Sequence, residues 1–296
     1  MSTVILNAAE YSQCPPLLKR QKEKCILMAH PKYFDVQYVI NPHMKEHIGN
    51  IDKIKALKQW EILKSQYEHI GIFVHVLNPV PELYDMVFAA NQSLPYRTLN
   101  GEQVVVMSKM HSPYRQPEVE YFAEWYDNHG YRVIRQNDPP VDFEGTGDVI
   151  WHPQKRLMYI GYGFRTDKAA LVRAAQLIQA PVIALELIDP RFYHLDTALC
   201  PLDERTAIFV PDAFSTEGHA LIEQSFERLI PAPISEAMNF VANGHCPDGR
   251  HFIVQKGSHV TTNAVAELGF KIIEVDTSEF IKSGGSVFCM KMVLPA

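Results

Sequence analysis

The sequence predicts an α/β protein of one domain built from a repeated unit, and three observations lead there. A helix-spaced apolar pattern, a turn and an apolar, β-branched run recur in that order five times along the 296 residues, at intervals of about 40 to 60 residues. Further short apolar runs separate these units, so helix and strand patterns alternate from end to end. No Pro/Ser/Gly-rich linker or low-complexity tract divides the chain, and its 20 prolines are spread as loop punctuation. A doubly wound parallel sheet is the alternative architecture for such alternation.

The units follow in order. Residues 49–69, "GNIDKIKALKQWEILKSQYEH", carry apolar positions at helical spacing and pass through Gly71 into "IFVHVL". Residues 118–129 lead through "HG" into "YRVIRQ", and residues 167–179 lead into "APVIALEL". Residues 215–229 lead into "LIPAPI", and "TTNAVAEL" leads through Gly269 into "FKIIEV". A glycine after a helix fits a left-handed C-cap. Between the units, "DMVFAA", "QVVVMS", "DVIWHP", "RLMYIGYG", "TAIFVP", "HFIVQKG" and "SVFCMKMVL" read as strands.

Composition narrows the function. Charged residues are 21% and the hydrophobic set 47%, which excludes disordered and fibrous classes. A net charge of −6 with interspersed signs argues against nucleic acid or an anionic membrane as the main partner. No apolar run reaches the roughly 18 residues of a membrane span. The first residues place their charges after a short apolar stretch, the reverse of a secretory signal, so a cytoplasmic location is expected. The five cysteines are odd in number and scattered, without a C-x-x-C pair, so each is read as a thiol. His245, Cys246 and Asp248 in "GHCPDG" lack a second ligand pair, and no metal is expected.

Cys289 stands in "SGGSVFCMKM". Packing is the ordinary role of such a thiol, but Gly284 and Gly285 permit unusual backbone angles and the close approach of a ligand. A nucleophile also needs a base and an orienting group. "FEGTGDVIW" offers Glu144 and Asp148 before a strand, either an ordinary acidic turn or acceptors for a cationic substrate. "FYHLDTALCPL" offers His194 and Asp196, two apart and therefore on one face of a strand. "GYGFRTDKAA" places Arg165 at the start of a helical segment, as a solvated charge or a bidentate grip on a carboxylate.

Taken in order, "YFDVQYVINPHM", "DMVFAANQS", "FEGTGDV", "GYGFRTD", "HLDTALCPL" and "GGSVFCM" resemble the guanidine-modifying superfamily, the penteins, from about residue 24 to residue 293. The resemblance implies a five-fold pseudosymmetric β/α propeller, in agreement with the five units. It implies Cys289 as nucleophile, His194 as general acid and base, and Glu144 and Asp196 as the carboxylates that grip a guanidinium. Asn41, Arg115 of "HSPYRQPE" and Arg165 resemble the groups that hold the amino and carboxylate ends of arginine. Asn91 stands where arginine deiminases and dimethylarginine hydrolases usually carry an acid, and in this it resembles the arginine and succinylarginine dihydrolases. Phe288 departs from the basic residue that often precedes the cysteine, and "SLPYRTLNGEQ" is longer than the stretch typical after the asparagine.

The function so implied is a cofactor-independent hydrolase that takes arginine to ornithine, two ammonia and carbon dioxide. A single hydrolysis to citrulline, from arginine or a methylated arginine, is the next reading. An amidinotransferase and an inactive arginine-binding sensor are the others. The expected partner is a small-molecule substrate, with neither nucleic acid nor membrane, and a homo-oligomer stays open.

Overall fold

The computed structural model describes residues 3–14, 17–20, 24–135 and 141–295. After β1 (Val4–Ile5) and the short α1 (Ala8–Tyr11), the chain builds one module five times. The first comprises β2 (Cys25–Ala29), α2 (Lys53–His69) and β3 (Phe73–Leu77). The second comprises β4 (Ser93–Arg97), β5 (Gln103–Met107), α3 (Glu118–Asn128) and β6 (Arg132–Ile134). A single turn, α4 (Gly145–Asp148), opens the third, followed by β7 (Val149–Trp151), β8 (Met158–Tyr162), α5 (Lys168–Ile178) and β9 (Val182–Glu186). The fourth comprises β10 (Leu199–Pro201), β11 (Thr206–Phe209), α6 (Thr216–Ser225) and β12 (Arg228–Pro231). The fifth comprises α7 (Ile234–Ala237), β13 (His251–Gln255), α8 (His259–Glu267) and β14 (Lys271–Val275), and α9 (Ser278–Ile281) then leads to β15 (Met292–Leu294).

Each module forms its own sheet. The strands flanking the long helix pair in parallel, as a helical crossover requires, with registers such as Ile26↔Val74, Val105↔Val133 and Ile208↔Ile230. An antiparallel strand completes four of the sheets; in the first it is β15, which pairs with β2 and closes the ring of modules. The fifth keeps only the bridge His245↔Ile253 in that position, and β1 adds a parallel edge to β9.

Helix placement follows from spacing. In α2, Ala56, Trp60, Leu63 and Tyr67 are buried on one face, and Asp52 caps the start by accepting from the Ile54 and Lys55 N–H groups. That face packs on Ile26, Met28 and Val74, and the same core contains Phe88, Cys289 and Met290. Gly71, Gly130 and Gly269 follow their helices with φ of +83°, +80° and +91°, whereas α5 ends on Gln179 at +54°.

Three expected strands are different. "DMVFAA" is a run of turns, because the Arg115 guanidinium takes the carbonyls of Asp85 and Phe88 that a ladder would use. In "SVFCMKMVL" only Met292–Leu294 is strand, since Asn243 Oδ1 accepts the N–H groups of Ser286 and Cys289. His194 and Asp196 share no strand face: His194 precedes a 3₁₀ turn, Leu195–Thr197, whose first N–H is held by Asp148 Oδ1 at 3.1 Å. The long segment after Asn91 is the β4–β5 hairpin. Gln136, the last residue of the expected strand "YRVIRQ", lies outside the described residues.

Candidate active site

Turns from several modules meet at a small cleft of about 270 Å³, and Asn41, Asn91, Arg115, Arg165, His194 and Cys289 all line it. The two carboxylates expected to grip a guanidinium, Glu144 and Asp196, are fully buried and bonded to its lining residues.

Cys289 sits in the turn before β15, anchored by the Ala90 N–H, which donates to its carbonyl at 3.1 Å. Its thiol donates to Asp196 Oδ2 at 3.1 Å and accepts from Asn243 Nδ2 at 3.2 Å. Burial, together with the Asp196 carboxylate, raises the thiol well above its ordinary value. Burial also pushes Asp196 up to about 7, against the hydrogen bond from Cys289 and the Lys291 cation. Burial and the Asp196 carboxylate thus favour the neutral thiol, and a cation entering beside it favours the thiolate.

The unusual backbone angle expected of these glycines is found at Gly284, and the close approach is that of side chains. A Cβ on Gly285 would lie 2.4 Å from the Phe88 ring, and one on Gly284 would lie 2.7 Å from the Tyr193 hydroxyl. These glycines make room for the cleft's own walls, and Gly284 also needs its φ of +85°.

His194 Nε2 is 2.7 Å from Glu144 Oε2. Burial alone would raise Glu144, but Arg165 and the His194 hydrogen bond more than offset it and hold the carboxyl at about 2. Glu144 follows the Lys109↔Phe143 bridge and stands at the N-cap position of α4, and the His111 N–H donates to its Oε1 at 3.0 Å. Asp148 also accepts the Thr166 hydroxyl at 2.7 Å, so it positions the His194 turn, and burial raises it to about 7. Arg165 lies before α5 in a tight turn closed by Gly163, not within the helix. It approaches Glu144 at 3.4 Å, donates to the Ile40 carbonyl at 2.7 Å and lies 4.7 Å over the Tyr193 ring.

Arg115 is held more tightly. Its guanidinium pairs with Glu118 at 2.9 Å and donates to Asn91 Oδ1 at 2.7 Å. That bond fixes the Asn91 amide, because a guanidinium can only donate, and leaves Asn91 Nδ2 buried without a partner among the described residues. Asn41 donates to the Ser283 carbonyl at 3.0 Å and the Tyr193 hydroxyl at 3.3 Å.

Sequence reasoning missed Asn243, Tyr193, Glu118 and Asp85, all placed by long-range folding except one. Arg115 and Glu118 are three residues apart at a helix start, a spacing that signals an ion pair. Among the described residues no cluster of His, Cys, Asp and Glu could hold a metal, and no helix is long and apolar enough to cross a membrane.

The modular fold and a cleft of thiol, imidazole and carboxylates place the chain among the penteins. Residues 30–295 match the family of eukaryotic N,N dimethylarginine dimethylhydrolases, and the chain belongs to that family. It is 35% identical over 269 residues to the bifunctional arginine dihydrolase/ornithine cyclodeaminase ArgZ of Synechocystis, covering 90% of this chain and 37% of ArgZ. The chain thus spans little more than a third of that relative. It is 34% identical over 274 residues to the N(G),N(G)-dimethylarginine dimethylaminohydrolase of Mycobacterium tuberculosis, covering 93% of this chain and 87% of that enzyme. The product-bound N-terminal domain of ArgZ, a cyanobacterial arginine dihydrolase, superposes with a TM-score of 0.84 at 32% identity, covering 91% of this chain and 97% of the domain.

Proposed function

We propose that this cleft hydrolyses free arginine twice, giving ornithine, two ammonia and carbon dioxide. The observation that carries the reading is the orientation of Asn91. Its Oδ1 is occupied by Arg115, so it offers the cleft an N–H donor through Nδ2. A guanidinium consists of donors and has no use for another; a ureido group has a carbonyl oxygen that does. The amide therefore favours retention of the citrulline stage, and a second hydrolysis follows.

In the first half, Glu144 and Asp196 hold the guanidinium, and Asp196 Oδ1, which lacks a partner among the described residues, accepts one of its N–H groups. The substrate cation offsets the burial that keeps Cys289 protonated, the thiol proton passes to His194, and the thiolate attacks the guanidinium carbon. Ammonia leaves with a proton from His194, giving a thiouronium ion. His194 then takes a proton from water, whose oxygen attacks the same carbon and releases the thiolate and citrulline. A second cycle at the ureido carbon expels the second ammonia, and hydrolysis of the resulting thiocarbamate gives a carbamate that loses carbon dioxide. Asn41 and Arg165 take the amino-acid end of the substrate, whereas Arg115, expected beside them, is bonded to Glu118 and Asn91 and forms the wall behind.

Time-resolved product analysis with isotope-labelled arginine tests the reading: ornithine with two ammonia per arginine is expected. The match to dimethylarginine hydrolases favours a second reading, a single hydrolysis. Citrulline as the end product, with faster turnover of dimethylarginine, replaces the first reading by the second.

A further inference from the structure

We propose that Asn243 is a further catalytic residue, whose side-chain amide stabilises the Cys289 thiolate by donating to Sγ from behind the cleft. This rests on Cys289 being the nucleophile. Asn243 is fully buried and belongs to a short 3₁₀ turn, Val241–Asn243, 46 residues before the nucleophile in the chain. Both ends of its amide are committed. Oδ1 accepts from the Ser286 N–H at 3.0 Å and the Cys289 N–H at 3.3 Å. Nδ2 donates to the Asp196 carbonyl at 2.9 Å and to Cys289 Sγ at 3.2 Å. The Asn243 carbonyl also accepts the Phe288 N–H at 2.8 Å.

One planar group thus fixes the backbone at the nucleophile and three residues ahead of it, and points a donor at its sulfur. The two Oδ1 bonds fix which end of the amide faces the sulfur, since only an oxygen can accept from two N–H groups. A donor to sulfur is worth more when the sulfur is charged, because charge-assisted hydrogen bonds are the stronger ones. The bond therefore favours thiolate over thiol. It opposes Asp196, whose Oδ2 takes the thiol proton on the other side and holds the neutral form. The sulfur is poised between an acceptor and a donor, and an entering cation weakens the hold of the first without touching the second. The residue before the nucleophile, Phe288, supplies no charge for this purpose.

The test uses the full chain and the probe iodoacetamide, with Cys289 alkylation followed by peptide mass spectrometry across pH. Asn243→Asp keeps the Oδ1 acceptor and replaces the donor by a second oxygen. The expected result is Cys289 alkylation slowed at least about tenfold at neutral pH, with its midpoint moved to higher pH, and kcat lowered by about 10 to 100-fold while KM changes little. Asn243→Ser, read by the same titration, serves if the aspartate variant does not fold. A folded variant with an unchanged alkylation profile overturns the inference, as does a rise in KM with kcat intact. Cys289→Ser separates the two claims: if that variant keeps its turnover the nucleophile assignment fails, whereas an inactive Cys289→Ser beside an unaltered Asn243→Asp profile removes Asn243 alone.

Discussion

Arg115 and Arg165 line the same cleft, and their surroundings differ in kind. Arg115 donates to Glu118 through Nε and Nη2, to the Asp85 and Phe88 carbonyls, and to Asn91, so nearly every N–H of its fork is used inside the protein. Arg165 makes one short bond, to the Ile40 carbonyl, and longer contacts of 3.4 and 3.5 Å with Glu144. Their carboxylate partners diverge as well. Burial raises Glu118 to about 7 despite Arg115, while Arg165 and His194 bring Glu144 down to about 2. One arginine builds the wall and aims Asn91; the other keeps capacity for a substrate anion and keeps Glu144 ionised beside the imidazole.

Replacing each guanidinium by a compact ammonium breaks the comparison most sharply. Arg115→Lys leaves several buried acceptors unmatched and is expected to lose about 3 kcal/mol of stability, read by chemical denaturation. Arg165→Lys is expected to lose about 1 kcal/mol, with KM for arginine raised about tenfold. Equal stability losses in the two variants contradict the division of labour.

The two carboxylates give opposite pH dependence. Glu144 has a folded value of about 2 against an ordinary 4.5, so its stabilisation is present above pH 4.5 and is lost as pH falls towards 2. Glu118 is raised to about 7 from 4.5, so the unfolded chain gives up its proton first and stability declines as pH rises from 4.5 to 7. Denaturation across pH is expected to lose the acid limb in Glu144→Gln and the decline towards neutrality in Glu118→Gln. The smallest structural change is Asn91→Asp, which replaces the donor aimed at a ureido oxygen; amino-acid analysis is expected to find products shifted towards citrulline. Unchanged ornithine formation contradicts the role given to Asn91.

Much of this arrangement was legible in residues taken one at a time. The five helix-to-strand units, the glycine caps after three helices and the six predicted residues that line the cleft depend on local pattern or on motif order. What was hidden depends on side chains that capture distant backbone. "DMVFAA" has a strand's composition, and only Arg115, 25 or more residues later in the chain, turns it aside. Cys289 leaves its strand because Asn243 takes its N–H, and nothing within "VANGHC" announces that partner. Strand propensity describes a segment that has a ladder to join, and here buried amide and guanidinium groups took the ladder's place.

The central claim is that Cys289 attacks the guanidinium carbon. Acid quenching during turnover of arginine labelled at that carbon, followed by peptide mapping, tests it most directly. The account predicts labelled adduct on the Cys289 peptide, absent from Cys289→Ser together with turnover. Label on a different peptide, or turnover that survives Cys289→Ser, contradicts it.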